Sequence, residues 1–172
     1  MKELAAAPED RSVVGPAREA ARHAQESGKG NDGIYCGAAV RLHDGAVITG
    51  KNSPLMHASS SLVLNAIKRL AGMPDHVHLL SPATIESISR LKRDILSRKS
   101  LSLNLEDALI ALSISATTNP SAQAAMEKLR DLAGCEMHIT HMPPPGDEAG
   151  LRRLGVNLTS DPDFSSHNLF LA

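Results

Sequence analysis

Residues 49–74 have the sequence TGKNSPLMHASSSLVLNAIKRLAGMP, in which a polar loop opens directly onto an apolar stretch. Leu62, Ala66 and Ile67 recur at the spacing of one helix face, and a glycine follows as a stop signal. The pattern predicts a helix over residues 57–71 that packs on a sheet. The elements on either side of this helix decide the fold class.

A hairpin is predicted upstream of this helix. Residues 36–42 and 46–50 are β-type runs that flank His43-Asp44-Gly45. An Asp-Gly pair between such runs is a strong hairpin signal. The domain is therefore expected to begin with an antiparallel pair of strands.

Helices and short strands alternate downstream of the helix. Ser81, Asn104 and Asn119 are the cap residues at which new helices are expected to start. The expected helices cover residues 82–96, 105–114, 120–134 and 147–154, and the expected strands cover residues 77–80, 136–140 and 156–158. A hairpin followed by this alternation predicts an α/β fold, with a mixed β-sheet covered by helices.

The first 30 residues differ from the rest of the chain. Residues 17–26, AREAARHAQE, have high helix propensity and are followed by the glycine-rich joint SGKG. We expect residues 1–30 to form a helical arm that packs loosely, as the remnant of an upstream domain. Residues 31–172 are expected to form a single α/β domain.

Composition argues against several classes of partner. Aromatic residues make up 2% of the chain, which removes the stacking platforms that single-stranded nucleic acids use, and a net charge of −1 gives no field that attracts a polyanion. No apolar run approaches the roughly 18 residues that span a bilayer, and the polar start lacks a signal-peptide core. We expect a cytoplasmic protein with no nucleic-acid or membrane partner, in which Cys36 and Cys135 are buried free thiols.

Polar residues in the loop and at the helix starts suggest a site for an anion. Helix N-termini present free N–H groups and a positive dipole end, and a lysine in the loop adds a charge. The candidate ligand-binding residues are Lys51, Asn52, Ser53, His57, Ser81, Thr118 and Asn119. Capping and turn formation explain the same Ser, Thr and Asn residues without a ligand, and this alternative stays open.

No metal site is expected. His76 with His78, and His138 with His141, lie near predicted strands, but no H-E-x-x-H or cysteine-rich frame holds them together. Hydrogen bonding at strand edges or surface exposure accounts for these histidines. We expect no cofactor in this chain.

Several long words of the sequence resemble one bacterial family. They are the stretch over residues 49–74 together with SPATIESI, LIALSISATTNPSAQ, GCEMHITH and LGVNLTSDPDF. From about residue 28 onward, the chain resembles the C-terminal third of the domain-of-unknown-function 1846 family, also called uncharacterised protein family 0371. That bacterial family has no established activity, and its longer members carry a glycine-rich, P-loop-like segment upstream. The resemblance therefore implies a C-terminal domain or fragment of a larger protein.

The resemblance also implies a cytidine-deaminase-like fold, a three-layer sandwich. Zinc deaminases carry H-x-E followed by P-C-x-x-C. The corresponding words are HAS at residues 57–59 and PATIE at residues 82–86, in which Ser59 stands in place of the catalytic glutamate and Ala83 and Glu86 stand in place of the two cysteines. The zinc chemistry is therefore expected to be missing.

Two functions follow from these observations. In the first, the chain is a metal-free deaminase-like assembly module that packs against upstream family domains or a second copy of itself. Apolar faces left uncovered on the N-terminal arm or on residues 105–114 would support it. In the alternative, the candidate residues converge on a phosphorylated small molecule or nucleotide, and the chain contributes half of an active site to the full-length protein.

Overall fold

The first two strands of the sheet form the expected hairpin. In a computed structural model, which describes residues 6–165, β1 (Gly37–Arg41) pairs antiparallel with β2 (Val47–Lys51). The turn between them places Gly45 at φ 90°, a conformation that glycine adopts at little cost, and Asp44 accepts a hydrogen bond from the main chain two residues on. The predicted hairpin is confirmed.

Two further strands extend the sheet to the order β2-β1-β3-β4. β3 (Glu136–Ile139) runs antiparallel to β1, and β4 (Asn157–Ser160) runs parallel to β3. Because β2 is also antiparallel to β1, the strands β2, β3 and β4 all end at the same edge of the sheet. We call this edge the carboxyl edge.

Six α-helices accompany the sheet over the described residues. They are α1 (Val14–Glu26), α2 (Ala58–Leu70), α3 (Pro82–Asp94), α4 (Leu105–Ser115), α5 (Pro120–Glu127) and α6 (Pro145–Leu154). Short 3-10 helices cover Pro8–Asp10 and Lys128–Leu132, and the second of these replaces the last part of the helix predicted to end near residue 134. The fold class is α/β with a mixed sheet, as predicted.

Helices cover both faces of the sheet. Ala39 of β1 packs with Val13 and Ala17 from the segment containing α1, whereas its neighbours Ala38 and Val40 belong to the main core on the other face. Successive side chains of a strand point to opposite faces, so α1 forms one outer layer. The main core contains residues of α2, α4, α5 and α6, and these helices form the other layer.

The expectation of a loosely packed N-terminal arm is wrong. A Cβ atom added to Gly37 would lie 2.1 Å from the main-chain oxygen of Ala17, so α1 approaches β1 at backbone distance. Small residues on both sides allow this contact, and Ala17 and Ala39 are fully buried. The proposed division at residue 30 stays a prediction, and residues 1–5 and 166–172 lie outside the described part of the chain.

The strand predicted over residues 77–80 does not form. Val77 closes a turn to Pro74, and Leu79 and Leu80 are buried in the main core without entering the sheet. Burial alone explains the apolar pattern there.

Candidate functional site

Three helices begin at the carboxyl edge. α2 follows β2 and α6 follows β3, so both start where the parallel strands end. α4 starts beside them. The main-chain N–H of Leu105, its first residue, donates to the side chain of Asp147 in the first turn of α6, at 2.8 Å. Helix N-termini carry partial positive charge, so this edge favours hydrogen-bond acceptors and negative groups.

Asp147 joins the three helix starts. Its side chain is 3% exposed, and Oδ1 accepts the hydrogen bond from Leu105. Oδ2 lies 2.8 Å from Nδ1 of His57, the residue that precedes α2. A buried carboxylate needs such donors, and both oxygens of Asp147 have one.

His57 presents its other ring nitrogen outward. A carboxylate can only accept, so Nδ1 of His57 carries the proton in this contact, and in the neutral form of the ring the lone pair is on Nε2. The side chain of His57 is 25% exposed, and Nε2 makes no hydrogen bond to the described residues. The pair is an oriented imidazole with one available acceptor atom.

Cys36 lies near Asp147 and is not an available nucleophile. Its thiol is buried and accepts a hydrogen bond from the hydroxyl of Thr140. Burial raises the pKa of the Cys36 thiol to about 12, and the charge of Asp147 acts in the same direction. Because the thiolate is the reactive form of cysteine, the pair of Cys36 and His57 does not form a Cys–His nucleophile.

The loop before α2 holds four of the predicted ligand-binding residues. Asn52 is buried and braces the loop, since Oδ1 accepts from the N–H of Cys36 and Nδ2 donates to the main chain at 3.0 Å. Ser53 accepts two main-chain N–H groups in its own turn. Lys51 ends β2 and is partly exposed, and His57 follows four residues after Ser53.

The other three predicted residues lie at different helix starts. Ser81 accepts from the N–H of Thr84 at the start of α3, and Asn119 caps α5 in the same way. α4 begins at Asp147 and has 11 residues, so Thr118 and Asn119, which follow its far end, lie about 16 Å from that start. The seven residues therefore do not all meet, and their binding of an anion stays a prediction.

The helix that faces His57 is α6 rather than α3. The correspondence with the zinc-deaminase motif in the sequence analysis predicted that PATIE, at the start of α3, faces His57. In the structure Asp147 of α6 makes that contact. The two residues are 90 positions apart, and Asp147 belongs to no motif identified in the sequence, so the sequence carried no signal for the pair.

A second polar cluster lies at the carboxyl edge on the side of α1. Asp161 accepts hydrogen bonds from the guanidinium of Arg18 at 2.9 and 3.1 Å and lies 3.2 Å from Nε2 of His138. A cleft of about 450 Å³ is lined by Arg18, Asp161, His141 and Asp163, among others. The Arg18 guanidinium holds the pKa of Asp161 below its ordinary value, and burial lowers the pKa values of His138 and His141. Arg18 and Asp161 form an ion pair with each other, so we interpret the cluster as structural.

His76 and His78 are exposed, as expected from the sequence. The expectation is wrong for His138, which is buried on the interior strand β3 and is hydrogen-bonded to Thr159 of β4. Within residues 6–165, no group of three His, Cys, Asp or Glu side chains is placed to hold a metal ion. Every helix in the same range is too short or too polar to cross a bilayer.

α3 with the two residues after it, and α4, carry exposed aliphatic side chains on their outer surface. The exposed side chains, each 48–71% exposed, are Leu91, Ile95, Leu96, Ile110 and Ile114. We call this surface the α3–α4 face. Only one side of α4 packs on the core, so Ile110 and Ile114 are left exposed.

An ion pair shows that the two apolar stripes are neighbours. Lys92 of α3 lies 2.8 Å from the carboxylate of Asp107 in α4 and also donates to a main-chain oxygen at 2.7 Å. Ile95 lies one turn beyond Lys92, and Ile110 and Ile114 lie one and two turns beyond Asp107 on the same stripe of α4. The two stripes therefore extend from one point of contact.

Comparison with known proteins identifies the family. The model of the domain of unknown function DUF1846, C-terminal, matches residues 9–170. The chain belongs to this family. UPF0371 proteins of Clostridioides difficile (strain 630), Clostridium tetani (strain Massachusetts / E88) and Clostridium botulinum (strain Alaska E43 / Type E3) are 46%, 44% and 43% identical over 170 residues. Each match covers 99% of this chain and 34% of the relative, so the chain spans about one third of these relatives' length.

Proposed function

We propose that this DUF1846 C-terminal domain is an assembly module, whose α3–α4 face docks onto the part of the family protein outside the matched region. The observation that carries the proposal is the group of five exposed aliphatic side chains on two adjacent helices. Soluble proteins rarely leave large contiguous apolar patches exposed unless a partner covers them. Uncovered apolar residues within residues 105–114 are one of the two features expected of an assembly module.

The attachment of α3 supports the same proposal. Ile85 is the buried residue of this 13-residue helix, so α3 has few apolar contacts with the domain that carries it. Burying an aliphatic side chain stabilises by about 1.5–3 kcal/mol, and most of that gain is unrealised on α3. A partner that covered Leu91 and Ile95 would supply it.

The charges around the face favour a different chain segment over a second copy. Arg90, Lys92 and Arg93 are paired with Glu86, Asp107 and Asp94, whereas Arg98 and Lys99 after α3 make no ion pair with the described residues and leave a basic rim. A twofold dimer would bring this rim against itself, and like charges that meet at an interface oppose association. The curated relatives carry the rest of their length outside the matched region, and this segment is the occupant we propose.

We also propose that the domain has a cytidine-deaminase-like fold without its metal. α2 and α6 begin side by side at the carboxyl edge, which is the arrangement that the two motif helices of a zinc deaminase need. In this interpretation the segment from α3 to α5 is an insertion between α2 and β3. The α3–α4 face then belongs to the insertion, so the part of the domain added to the deaminase-like frame is the part that assembles.

Sedimentation velocity tests the assembly proposal. The wild-type chain is mixed with the segment of the Clostridioides difficile relative that lies outside the matched region, and the triple variant Ile95→Glu, Ile110→Glu, Ile114→Glu is compared with it. Val47→Glu, at an exposed apolar position on β2, is the matched control. We expect one-to-one complexes from the wild type and the control, and free components from the triple variant.

Two results would overturn this proposal. One is a wild-type chain that forms no complex with the segment at any concentration. The other is a wild-type chain that sediments as a dimer of itself, which would assign the face to a second copy. Circular dichroism of the triple variant establishes that its helices are intact, since the substituted side chains are exposed.

A further inference from the structure

We propose that His57 is the proton acceptor of a binding site for a hydroxyl-bearing ligand, and that Asp147 is the positioning residue that orients it. The site lies at the carboxyl edge and is independent of the α3–α4 face. The ligand would donate an O–H hydrogen bond to Nε2 of His57. On full transfer, the proton moves from the ligand oxygen to Nε2, and the imidazolium that forms is paired with the Asp147 carboxylate.

The geometry fixes which nitrogen is available. Asp147 holds His57 through Nδ1 at 2.8 Å and is itself held by the N–H of Leu105 at 2.8 Å. The carboxylate is 3% exposed, so water does not compete effectively for this contact.

The surroundings suit a ligand oxygen. The side chain of His57 does not cap α2, so the first N–H groups of that helix lack a side-chain partner. These donors and Nε2 of His57 lie at the same helix start. The residues of this first turn, 58–60, are 0–3% exposed, so a ligand oxygen at Nε2 would meet the partial positive charge of the helix start and not its N–H groups directly.

The strand order supports the same location. In open α/β sheets, ligands bind outside the carboxyl ends of the parallel strands. β2, β3 and β4 end at this edge, and His57 and Asp147 lie on the segments that follow β2 and β3. The pair therefore occupies the position at which such folds place their ligands.

The substitution Asp147→Asn reverses the direction of the hydrogen bond to His57 and keeps the size of the side chain. Asn has one acceptor oxygen, which the N–H of Leu105 occupies, and its amide group then donates to Nδ1 of His57. His57 must switch to the tautomer that carries its proton on Nε2. The lone pair then faces the protein interior and no longer faces the ligand.

Nitrogen-15 NMR of the imidazole rings and acylation by diethyl pyrocarbonate test the proposal together. In the wild-type chain we expect the Nδ1–H tautomer for His57, acylation of its Nε2, and a saturable shift of the Nε2 resonance on titration with glycerol, the simplest hydroxyl probe. In Asp147→Asn we expect the opposite tautomer and loss of both acylation and the glycerol shift at His57. The exposed His76 and His78 are internal controls, whose acylation stays the same in both proteins.

The wild-type measurements decide the proposal even if Asp147→Asn folds poorly. A wild-type His57 that carries its proton on Nε2, or that resists acylation while the protein is folded, contradicts an available acceptor. A reactive His57 whose Nε2 resonance does not respond to glycerol contradicts the hydroxyl ligand. Equal acylation in folded wild-type and Asp147→Asn chains would remove the positioning role of Asp147.

Discussion

The contact between α1 and β1 depends on the absence of a single side chain, that of Gly37. A Cβ atom there would meet main-chain atoms of α1 at 2.1 and 2.5 Å, and neither helix nor strand can yield without losing its own hydrogen bonds. Gly37→Ala should therefore destabilise the fold by roughly 1–3 kcal/mol or more. Gly15→Ala is the matched control, since nothing lies within 4 Å of its added Cβ and Gly15 is already helical.

Urea unfolding monitored by circular dichroism measures both changes. We expect a lower midpoint for Gly37→Ala and an unchanged or slightly higher midpoint for Gly15→Ala, because alanine is the better helix former. Equal midpoints for wild type and Gly37→Ala would mean that α1 does not pack on the sheet.

Both cysteines should be inert in the folded chain. Cys36 and Cys135 are 9% and 2% exposed, and burial raises the pKa of each thiol. We expect iodoacetamide at pH 8 to label neither residue until the protein unfolds, whereas a cysteine introduced by Ser100→Cys at an exposed position is labelled at once. Rapid labelling of Cys36 in the folded protein would show that its pocket opens.

At the scale of elements, α3 is held by one polar anchor in addition to the packing of Ile85 and Ile88 on the main core. The side chain of Lys92 is 12% exposed and joins α3 to Asp107 and to the main chain before α4. Lys92→Met removes both contacts, so we expect faster hydrogen exchange across α3 and little change elsewhere. Arg90→Met removes only an exposed pair with Glu86 and should leave exchange unchanged.

The sequence predicted most elements through local signals. Cap residues and the Asp-Gly pair act on their own neighbours, and the helices from α2 to α4 begin within one residue of where these signals place them. The strand over residues 77–80 failed because its apolar residues are buried by the main core without a strand neighbour. Local patterns report burial, but they do not report whether a buried segment joins the sheet.

At the scale of the whole molecule, two histidines couple stability to pH. Burial lowers the pKa values of His138 and His141 in the folded state, so the unfolded chain binds more protons below about pH 6.5. Stability should be fully present above that pH and should fall as the pH decreases through the window below it. The check is the free energy of unfolding measured at several pH values between 5 and 8.

A variant separates this effect from general acid denaturation. His141→Gln removes one titrating group, so its stability should depend less steeply on pH between about 6.5 and 5 than that of the wild type. The slope of the free energy of unfolding against pH tests the pKa of His141 even if the variant is less stable at every pH. An unchanged slope would contradict a lowered pKa for His141.

Long-range contacts explain why the candidate site was only partly predictable. His57 was predicted as a site residue from its place at a helix start, but its partner Asp147 lies 90 residues away and was missed. Ser81 and Asn119 share the chemistry of a helix start, and in the structure they cap their own helices. Sequence identified the residue types, and the contact of the start of α6 with the starts of α2 and α4 selected one pair.

The most direct test of the assembly proposal is hydrogen exchange of the wild-type chain, alone and mixed with the segment of the Clostridioides difficile relative outside the matched region. We predict that exchange in α3 and α4 slows strongly in the mixture, while β1, β2 and α1 change little, because the α3–α4 face becomes buried. Exchange in α3 and α4 that stays the same in the mixture, or protection confined to another surface, would contradict the proposal that this face assembles the family protein.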